Sequence, residues 1–481
     1  MDEDHKKYVT PLVGRYTSKK AQQIWSDRRR HGLWRRLWLS IARAQRELGV
    51  DIITEEMLTE MAEHLDDIDY SQVAELEREF RHDVVAHSRA FGEVCPSAAG
   101  IIHLGLASMC ICDNAELIMM KQSMIHIRGC AIRALSGFRD RILQYAELPI
   151  VGMSHLQAAQ PTTLGKRLTM YAQDLTFDLA NINRFIEELP FRGIKGPVGT
   201  QYPLLKLFKG DRGKVSILEE RVAKEYGFSK ILPITGQTYT RKIDSRYVFV
   251  FADLAATLYK FAQDVRIMQS RKEVEEPFGS QQKGSSSMIH KRNPMKSERT
   301  DSLGRELMVA TLSPLLTHAL QMLERTLDDS AARRRYLAES FLLAEAMLIL
   351  VTDIINGLTV HEKIIQRNLD QEMPFLVAED ILLAMCEHGA NRQGCYDRIY
   401  KHVQLAHSRI YDGDGLNDLV DRLRGDEYFS PIHDELARIV DPREIFGDAP
   451  AQAINFVRRD IDPLLDKFKS DFQDETAELT V

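Results

Sequence analysis

One stretch of the sequence gathers reactive side chains on what its composition predicts to be a mobile loop. Residues 279–299 read GSQQKGSSSMIHKRNPMKSER, in which an Asn293-Pro294 step follows the glycines and serines. Asn followed by Pro is typical of a helix N-cap and the first helical position. A helix N-terminus presents N–H groups to an anion, and Lys291 and Arg292 add full charges. The segment predicts an anion-binding loop, with a solvated surface loop as the alternative.

A second polar stretch, residues 151–167, reads VGMSHLQAAQPTTLGKR and places His155 beside Ser154. The ordinary pKa of an imidazole, about 6.5, suits proton transfer near neutrality. A single histidine more often has a structural role than a catalytic one. The residues alone therefore leave open whether His155 transfers a proton or only supports the structure.

Two further stretches are rich in charged side chains. Residues 81–108 open with RHDVVAH, where His82 and His87 are five positions apart and so do not share a helical face well. No HExxH or comparable carboxylate pattern accompanies them, and we predict no metal site. Residues 324–334 read ERTLDDSAARR, for which the residues alone favour an ion-paired helix surface.

The composition excludes several classes of protein. The chain has 481 residues, with 63 Lys plus Arg against 70 Asp plus Glu, and its formal net charge of −7 argues against nucleic-acid binding by bulk charge. Its six cysteines include no CxxC pair and indicate reduced thiols in a cytosolic protein. No run of 18 apolar residues occurs, and the charged N-terminus lacks the apolar stretch of a signal peptide. We expect a soluble, cytoplasmic protein with neither a membrane nor a nucleic-acid partner.

The elements that must position these residues are predicted to be long helices. Proline, which breaks helix interiors, is absent from residues 97–148, 234–276 and 315–373. Within each gap apolar residues recur at alternating steps of three and four, which is typical of nearly aligned helices packed as a bundle. The three series are Leu117, Met120, Met124, Ile127, Ala131, Ala134 and Phe138; Phe251, Leu254, Leu258, Phe261, Val265 and Met268; and Leu337, Phe341, Ala344, Leu348, Val351 and Ile355.

The predicted fold class is therefore all-α, with three mostly helical domains. We expect an N-terminal helical domain at residues 1–111, a central long-helix bundle at 112–360 that carries the serine-rich loop, and a C-terminal helical domain at 361–481. Strand evidence is thin and is limited to residues 147–153 and 229–234.

Together these motifs resemble a known family. GSSSMIHKRNPMKSE is similar to the signature loop GSSxMPxKxN of the fumarase/aspartase superfamily. Its KRNPxxSE continuation, SHLQAAQPTTLGKR, RHDVVAH, ITGQTYTRK at residues 234–242 and ERTLDDSAARR resemble the adenylosuccinate lyase family, most of all its animal type. The resemblance extends from Arg15 to about Pro431. The loop alone would indicate only the superfamily. The motifs RTLDDS and GQTYTRK make the resemblance specific to this family.

The resemblance implies a cofactor-free anti elimination that splits adenylosuccinate into AMP and fumarate. The succinyl-carboxamide imidazole ribotide of purine biosynthesis would be cleaved in the same way. It further implies a homotetramer with a central twenty-helix bundle, in which three chains contribute to each active site, and small nucleotide substrates as ligands. Such a reaction needs a base at a carbon beside a carboxylate, cations and N–H donors for the carbanion, and a proton for the departing nitrogen.

The resemblance also assigns roles to single residues. Ser285 is the expected base and His155 the expected acid, which Glu298 would orient. Lys291 and Asn293 would bind the substrate carboxylate and stabilise the carbanion, and His82 completes the catalytic set. The expected substrate-binding residues are Arg15, Tyr16, Arg81, Asp83, Ser108, Ser154, Lys195, Thr200, Gln237, Ser286, Asn293, Arg299, Arg325, Ser330 and Arg334. The positions that match the nucleotide site are Lys195, Thr200 and Gln237, and those that match the phosphate and carboxylate contacts are Arg15, Tyr16, His82, Arg299, Arg325, Ser330 and Arg334.

The sequence departs from the family pattern at four positions. Ile289 stands where a proline usually follows the signature methionine, Ala107 and Ser154 where threonines are usual, and Ala158 where a proline is common. Losing one hydrogen bond to a charged ligand group costs roughly 1.5–3 kcal/mol, which weakens binding without abolishing it. We expect an active enzyme with an altered Michaelis constant or altered loop kinetics.

Two other functions remain open from the sequence. One is another fumarate-releasing lyase of the superfamily, such as an argininosuccinate lyase-like enzyme, and the other is a non-catalytic helical scaffold. Retention of Ser285, His155, Lys291 and Glu298 argues against the scaffold. A nucleic-acid-binding helical protein would need a basic stripe with interleaved aromatic residues, which the sequence lacks.

Overall fold

Helices account for nearly all regular structure in the protein, whose computed structural model describes residues 8–471, and the all-α prediction is confirmed. The described part of the chain starts with a short π-helix, Leu12–Tyr16, and five α-helices: α1 Lys19–Ile24, α2 Asp27–Glu47, α3 Glu55–Glu63, α4 Tyr70–Phe80 and α5 Asp83–Val94. The first four α-helices begin behind a side-chain oxygen that accepts first-turn N–H groups, from Ser18, Ser26, Thr54 and Asp69.

Five helices pack against one another as the central bundle: α6 Ser108–Gln144, α7 Leu164–Glu188, α10 Lys242–Ser270, α11 Met295–Val309 and α13 Asp329–Gly357. The 37 residues of α6 span about 55 Å. Every member of the three apolar series predicted from the sequence is buried. The periodicity therefore identified the buried face of α6, α10 and α13.

Short elements connect the bundle helices. They are the hairpin β1 Pro149–Ser154 and β2 Gln157–Thr163, the 3₁₀-helix Pro197–Gly199, α8 Tyr202–Leu207, α9 Arg212–Glu225, the strand pair β3 Val274–Glu275 and β4 Thr359–Val360, and α12 Leu312–Leu320. The first predicted strand region forms β1. The second forms only an isolated bridge between Phe191 and Ile231.

The C-terminal part continues as shorter helices: α14 Glu362–Leu376, α15 Ala378–Glu387, α16 Arg392–Asp412, α17 Leu419–Arg424, the 3₁₀-helix Glu427–Ile432, α18 Leu436–Ile439, α19 Pro442–Ile445, α20 Ala449–Phe456, the π-helix Val457–Ile461, α21 Asp462–Lys467 and the 3₁₀-helix Lys469–Asp471. One hydrophobic cluster joins the N-terminal helices, the bundle and residues 453–468, and another fills residues 369–439. The three domain boundaries stay a prediction, and their outer ends lie outside residues 8–471. Within the described residues, no helix is long and apolar enough to cross a membrane.

Candidate active site

A cleft of about 490 Å³ collects seven of the predicted site residues. Its walls come from the α4–α5 junction, the first turn of α6, and the start of α13 with the segment that precedes it. The predicted residues that line it are Arg81, His82, Asp83, Ser108, Arg325, Ser330 and Arg334. Segments more than 200 positions apart in sequence thus meet at one place, where cations and hydroxyl groups face an open volume.

The RHD motif is held by the junction of two helices. Helix α4 ends at Phe80, and Arg81 then adopts a left-handed conformation with φ of 53°. His82 caps α5, because its Nδ1 accepts the N–H of Val85 at 3.5 Å. Nε2 of the same ring lies 3.5 Å from the Ser108 hydroxyl.

The α4–α5 junction also holds a charged side chain of α13 in place. Arg334 donates to the Asp83 carboxylate at 3.2 Å, and its side chain remains 60% exposed to the cleft and solvent. Helix α6 itself begins behind Ala107, which offers no side-chain cap. The threonine usual in the family at that position would be a cap, worth about 1 kcal/mol. The departure at Ala107 therefore removes a helix cap.

Buried ion pairs form the floor of the cleft. The Arg241 guanidinium bridges Asp113 at 3.0 Å and Asp329 at 2.7 Å, and all three side chains are at most 1% exposed. Arg192 approaches Asp113 from the other side, at 3.3 Å. Because a buried carboxylate without a partner is costly, these pairs fix the first turn of α13 against α6 and α10.

Arg333 extends this floor. It pairs with Asp244 at 2.7 Å and with Glu116 at 2.7 Å, and it donates to the Tyr239 hydroxyl at 2.6 Å. Burial alone would raise the pKa of Asp244, but Arg333 and Arg241 hold it below its usual value. The sequence interpretation of ERTLDDSAARR as an ion-paired surface is wrong for Asp329 and Arg333, which are buried. The sequence did carry one sign that these two charges are buried, because they lie on a helix that is otherwise rich in apolar residues.

An aromatic wall on one side of the cleft was missed by the sequence analysis as a functional feature. The ring centroids of His31 and His87 lie 3.9 Å apart with the planes tilted by 33°, and Trp34 meets both rings edge-on. The pKa of His31 is lowered to about 4 and that of His87 to about 3, chiefly because burial penalises the charged imidazolium. Nδ1 of His31 and Nε1 of Trp34 find no hydrogen-bond partner among residues 8–471. The wall is thus neutral at pH 7 and has unused polar atoms.

The predicted nucleotide residues lie beside the cleft and not in its lining. The Gln237 N–H donates to the carbonyl of Glu324 at 3.0 Å, directly before Arg325, and its side-chain oxygen accepts the N–H of Val198 at 2.7 Å. Lys195 pairs with Glu219 at 2.8 Å. Thr200 is exposed, with its hydroxyl 3.4 Å from the carbonyl of Pro197.

Arg15 and Tyr16 also lie outside the cleft lining. They end the short π-helix that packs against α13, with Arg15 exposed and Tyr16 half-buried.

His155 and Ser154 lie at the tip of the β1–β2 hairpin. His155 and Leu156 form its two-residue turn with φ of 54° and 59°, left-handed values that cost residues other than glycine roughly 1–2 kcal/mol each. The His155 side chain is exposed and faces a separate pocket of about 400 Å³ beside Arg167 and Arg271. The turn therefore aims the imidazole away from its own chain's cleft.

The signature loop surrounds Ser285 with N–H groups. Its Oγ accepts the N–H of Met288 at 3.0 Å and that of Ser287 at 3.3 Å. Asn293 donates to the Gly284 carbonyl at 2.6 Å, and a side chain at Gly284 would collide with the backbone of Lys291. Ser286 and Lys291 are exposed on the same loop.

The helix that follows the loop corrects one prediction. Helix α11 starts at Met295 with Pro294 as N-cap, so Asn293 is not the cap. Its first N–H groups are already taken, because the Glu276 carboxylate accepts those of Lys296 at 2.9 Å and Ser297 at 3.0 Å. Burial raises the pKa of Glu276, against the lowering effect of these hydrogen bonds. The anion at this helix end is the chain's own carboxylate, so the predicted anion site there is wrong.

The remaining predicted residues, Glu298 and Arg299, lie on the first turn of α11, exposed and half-buried respectively. A single chain thus brings seven of the predicted site residues together in the cleft and leaves the others outside its lining. It carries the expected acid on the hairpin and the expected base on the loop, neither of which lines that cleft.

Comparison with known proteins gives two family matches along the chain. The family described as lyase matches residues 5–333, and the family described as adenylosuccinate lyase C-terminus matches residues 374–456. The chain is 42% identical to adenylosuccinate lyase of Saccharomyces cerevisiae over 99% of this chain and 100% of the yeast protein. It is 42% identical to that of Schistosoma mansoni over 98% of both chains, and 29% identical to that of Pyrococcus abyssi over 86% of this chain and 89% of the archaeal protein.

Solved structures share the fold at lower identity. The 3-carboxy-cis,cis-muconate lactonizing enzyme of Pseudomonas putida matches with a TM-score of 0.81, at 20% identity, over 95% of this chain and 100% of that chain. A fumarate lyase from Mesorhizobium sp. BNC1 matches with a TM-score of 0.79, also at 20% identity, over 94% and 100%. The full-length identity to the yeast and schistosome proteins, together with both family matches, confirms the resemblance: this chain is a lyase that belongs to the adenylosuccinate lyase family of the fumarase/aspartase superfamily.

Proposed function

We propose that the chain acts as a cytoplasmic homotetramer that splits adenylosuccinate into AMP and fumarate, and cleaves the succinyl-carboxamide imidazole ribotide in the same way. The observation that carries the proposal is the cleft, in which Arg81, His82, Arg325, Ser330 and Arg334 face one volume. A substrate with a phosphate and two carboxylates needs several cations and hydroxyl groups at fixed positions. The buried ion pairs below the cleft supply that rigidity.

Ser285 would remove the proton from the carbon beside a substrate carboxylate. A serine hydroxyl is a poor base at its normal pKa, so its anion must be stabilised before it can act. The two N–H groups that reach Oγ, from Ser287 and Met288, are suited to that task. Lys291 would add its charge as the loop closes over the substrate.

His155 would give a proton to the departing nitrogen. The electron pair of the broken carbon–hydrogen bond forms the new carbon–carbon double bond of fumarate, and the carbon–nitrogen pair leaves with the nitrogen. Glu298 would orient His155, while Lys291 and Asn293 would bind the carboxylate on which negative charge develops. The reaction assigned here is complete without a cofactor.

Assembly would bring these groups together. His155 and the signature loop are exposed in the single chain, as are apolar side chains around α12. The exposed apolar residues of that region are Val309, Leu312, Leu316, Leu320, Met322 and Leu323. Exposed apolar surface of this kind marks a contact between proteins. Further copies of the chain would cover it and carry an acid and a base to each cleft.

The proposal is tested by an ultraviolet assay of fumarate release from adenylosuccinate, beside sedimentation of the purified protein. We expect turnover by a tetramer, and release from argininosuccinate instead would favour the other lyase. Shared sites are tested by mixing two inactive variants, His155→Ala and Ser285→Ala, with exchange of subunits. Recovery of activity supports sites built from several chains, whereas an inactive mixture of verified hybrid tetramers contradicts it.

A further inference from the structure

Three side chains away from the cleft bring metal-ligand atoms together between two bundle helices. His126 and Cys130 lie one turn apart on α6, and Glu345 faces them from α13. The ligand atoms of all three lie within 4.8 Å of one another. Nε2 of His126 is 2.6 Å from the Glu345 carboxylate and 3.7 Å from the Cys130 sulfur. The elimination uses none of them.

The set has the chemistry of a zinc site. An imidazole nitrogen, a thiolate and a carboxylate are the ligand types that zinc takes in proteins, and a sulfur ligand disfavours magnesium and calcium. The spacing of four positions puts His126 and Cys130 on one helical face. With Glu345 from the facing helix, the arrangement matches metal sites built in the cores of helix bundles.

Neighbouring groups hold these side chains in place. The backbone N–H of Ser18 donates to Glu345 at 3.0 Å, and its hydroxyl donates to the same carboxylate at 2.5 Å. Arg133 donates to the Cys130 sulfur at 3.0 Å. Hydrogen bonds of this kind, from groups outside the metal's own ligand set, orient ligands in metalloproteins. Glu345 is 1% exposed and Cys130 3%, so both are fixed by packing.

A cavity of about 260 Å³ adjoins the cluster and is lined by His126 and Glu345 together with Ser18, Lys20, Gln122 and Arg133. Three protein ligands with room for a fourth, exchangeable one is the arrangement of zinc sites that keep an open position. The cavity provides an entry path and space for water as that fourth ligand. Lys20 and Arg133 bring positive charge, which an anionic thiolate and carboxylate would offset.

From these contacts we propose that His126, Cys130 and Glu345 form a zinc-binding site between α6 and α13, open to the adjoining cavity. Zinc replaces the hydrogen bond between His126 and Glu345, and the protons held by the thiol and the imidazole pass to water. The bound ion joins two helices that both reach the cleft at their first turns. Zinc therefore stabilises the bundle at a place separate from the elimination chemistry.

The test titrates the full-length protein with zinc against a chromophoric chelator, and repeats the titration with cobalt, whose thiolate complexes absorb in the near ultraviolet. We expect one ion per chain, a thiolate–cobalt band and a rise in melting temperature. Cys130→Ser should remove the band and weaken zinc binding by at least about 10–100-fold, the loss seen even when only outer-shell partners are removed.

Cys386→Ser is the matched control, because it removes a thiol from the separate C-terminal cluster and should leave band and affinity unchanged. If Cys130→Ser does not fold, His126→Gln keeps a donor toward Glu345 and should weaken zinc and cobalt binding by a similar factor, because it removes the imidazole ligand. Absence of stoichiometric binding in the wild-type chain, an unchanged band in the Cys130→Ser chain, or an unchanged zinc affinity in the His126→Gln chain would overturn the proposal.

Discussion

The cleft and the two segments that carry the expected acid and base differ in how their side chains are held. Below the cleft, Arg241 and Arg333 are nearly inaccessible, and Arg241 pairs with two carboxylates and Arg333 with three. His155, in contrast, sits on an exposed turn, and Ser285 on a loop whose next residues are exposed. The predicted binding groups in the cleft are thus held in place within one chain. Under the proposed function, a closing loop and neighbouring chains would place the groups assigned to proton transfer.

The largest expected effect concerns Ser285 on the signature loop, which is the less firmly held of the two regions. Ser285→Ala should lower turnover by about 10²–10⁴-fold, because a positioned base contributes that much, while the substrate still binds in the cleft. Fumarate release and substrate binding measured on the same preparation separate the two effects. Ser287→Ala is the matched control, since only its backbone N–H contacts Ser285. Near-normal turnover of Ser285→Ala would reject the assignment of the base.

The next effect tests the floor of the cleft. Arg241→Met leaves Asp113 and Asp329 without their shared partner and should lower the free energy of unfolding by about 3–5 kcal/mol. Denaturant titration provides the measurement. The control is Arg246→Met, whose pair with Glu188 is half-exposed and should contribute far less to stability because solvent screens it. Equal losses in the two variants would show that the floor is no more rigid than the surface.

A smaller effect tests the rim of the cleft. Arg334→Ala should raise KM by about 10–100-fold, since a hydrogen bond to a charged group is worth roughly 1.5–3 kcal/mol. Steady-state kinetics should show a smaller change in kcat. Arg335→Ala, one position along α13, removes an exposed arginine paired with Glu339 and should leave KM unchanged. A change of equal size in both variants would remove the case for a specific contact.

The smallest expected effect is a loss of folding stability in acid. The pKa of His87 is about 3 in the folded chain and about 6.5 when exposed. Between these values the unfolded chain binds a proton that the folded chain does not, so stability falls as pH falls below about 6.5. His87 should contribute about 1.4 kcal/mol of this loss per pH unit. The difference between the melting temperatures at pH 7.5 and 5.5 should be smaller in His87→Gln, where His31 keeps its own lowered pKa, and should stay as in the wild-type chain in His290→Gln, a loop control.

Much of the fold followed from local rules. Proline spacing and three-four periodicity predicted the buried faces of α6, α10 and α13, because a helix buries residues at that period wherever it packs. Seven of the predicted site residues line one cleft, although only motif resemblance connected Arg81 with Arg334, and their roles stay a prediction. The helix cap at Asn293 was wrong, because a carboxylate 17 positions earlier, Glu276, competes for the same N–H groups.

By itself, the sequence determined the fold class, the family and the candidate residues, since these depend on residue type and on spacing along the chain. Only the tertiary structure decided which charges are buried, which histidines stay neutral, and that His126, Cys130 and Glu345 meet. Those properties depend on the distance between segments and on the exclusion of water. For residues more than 200 positions apart, both are set only when the helices that carry those residues pack together.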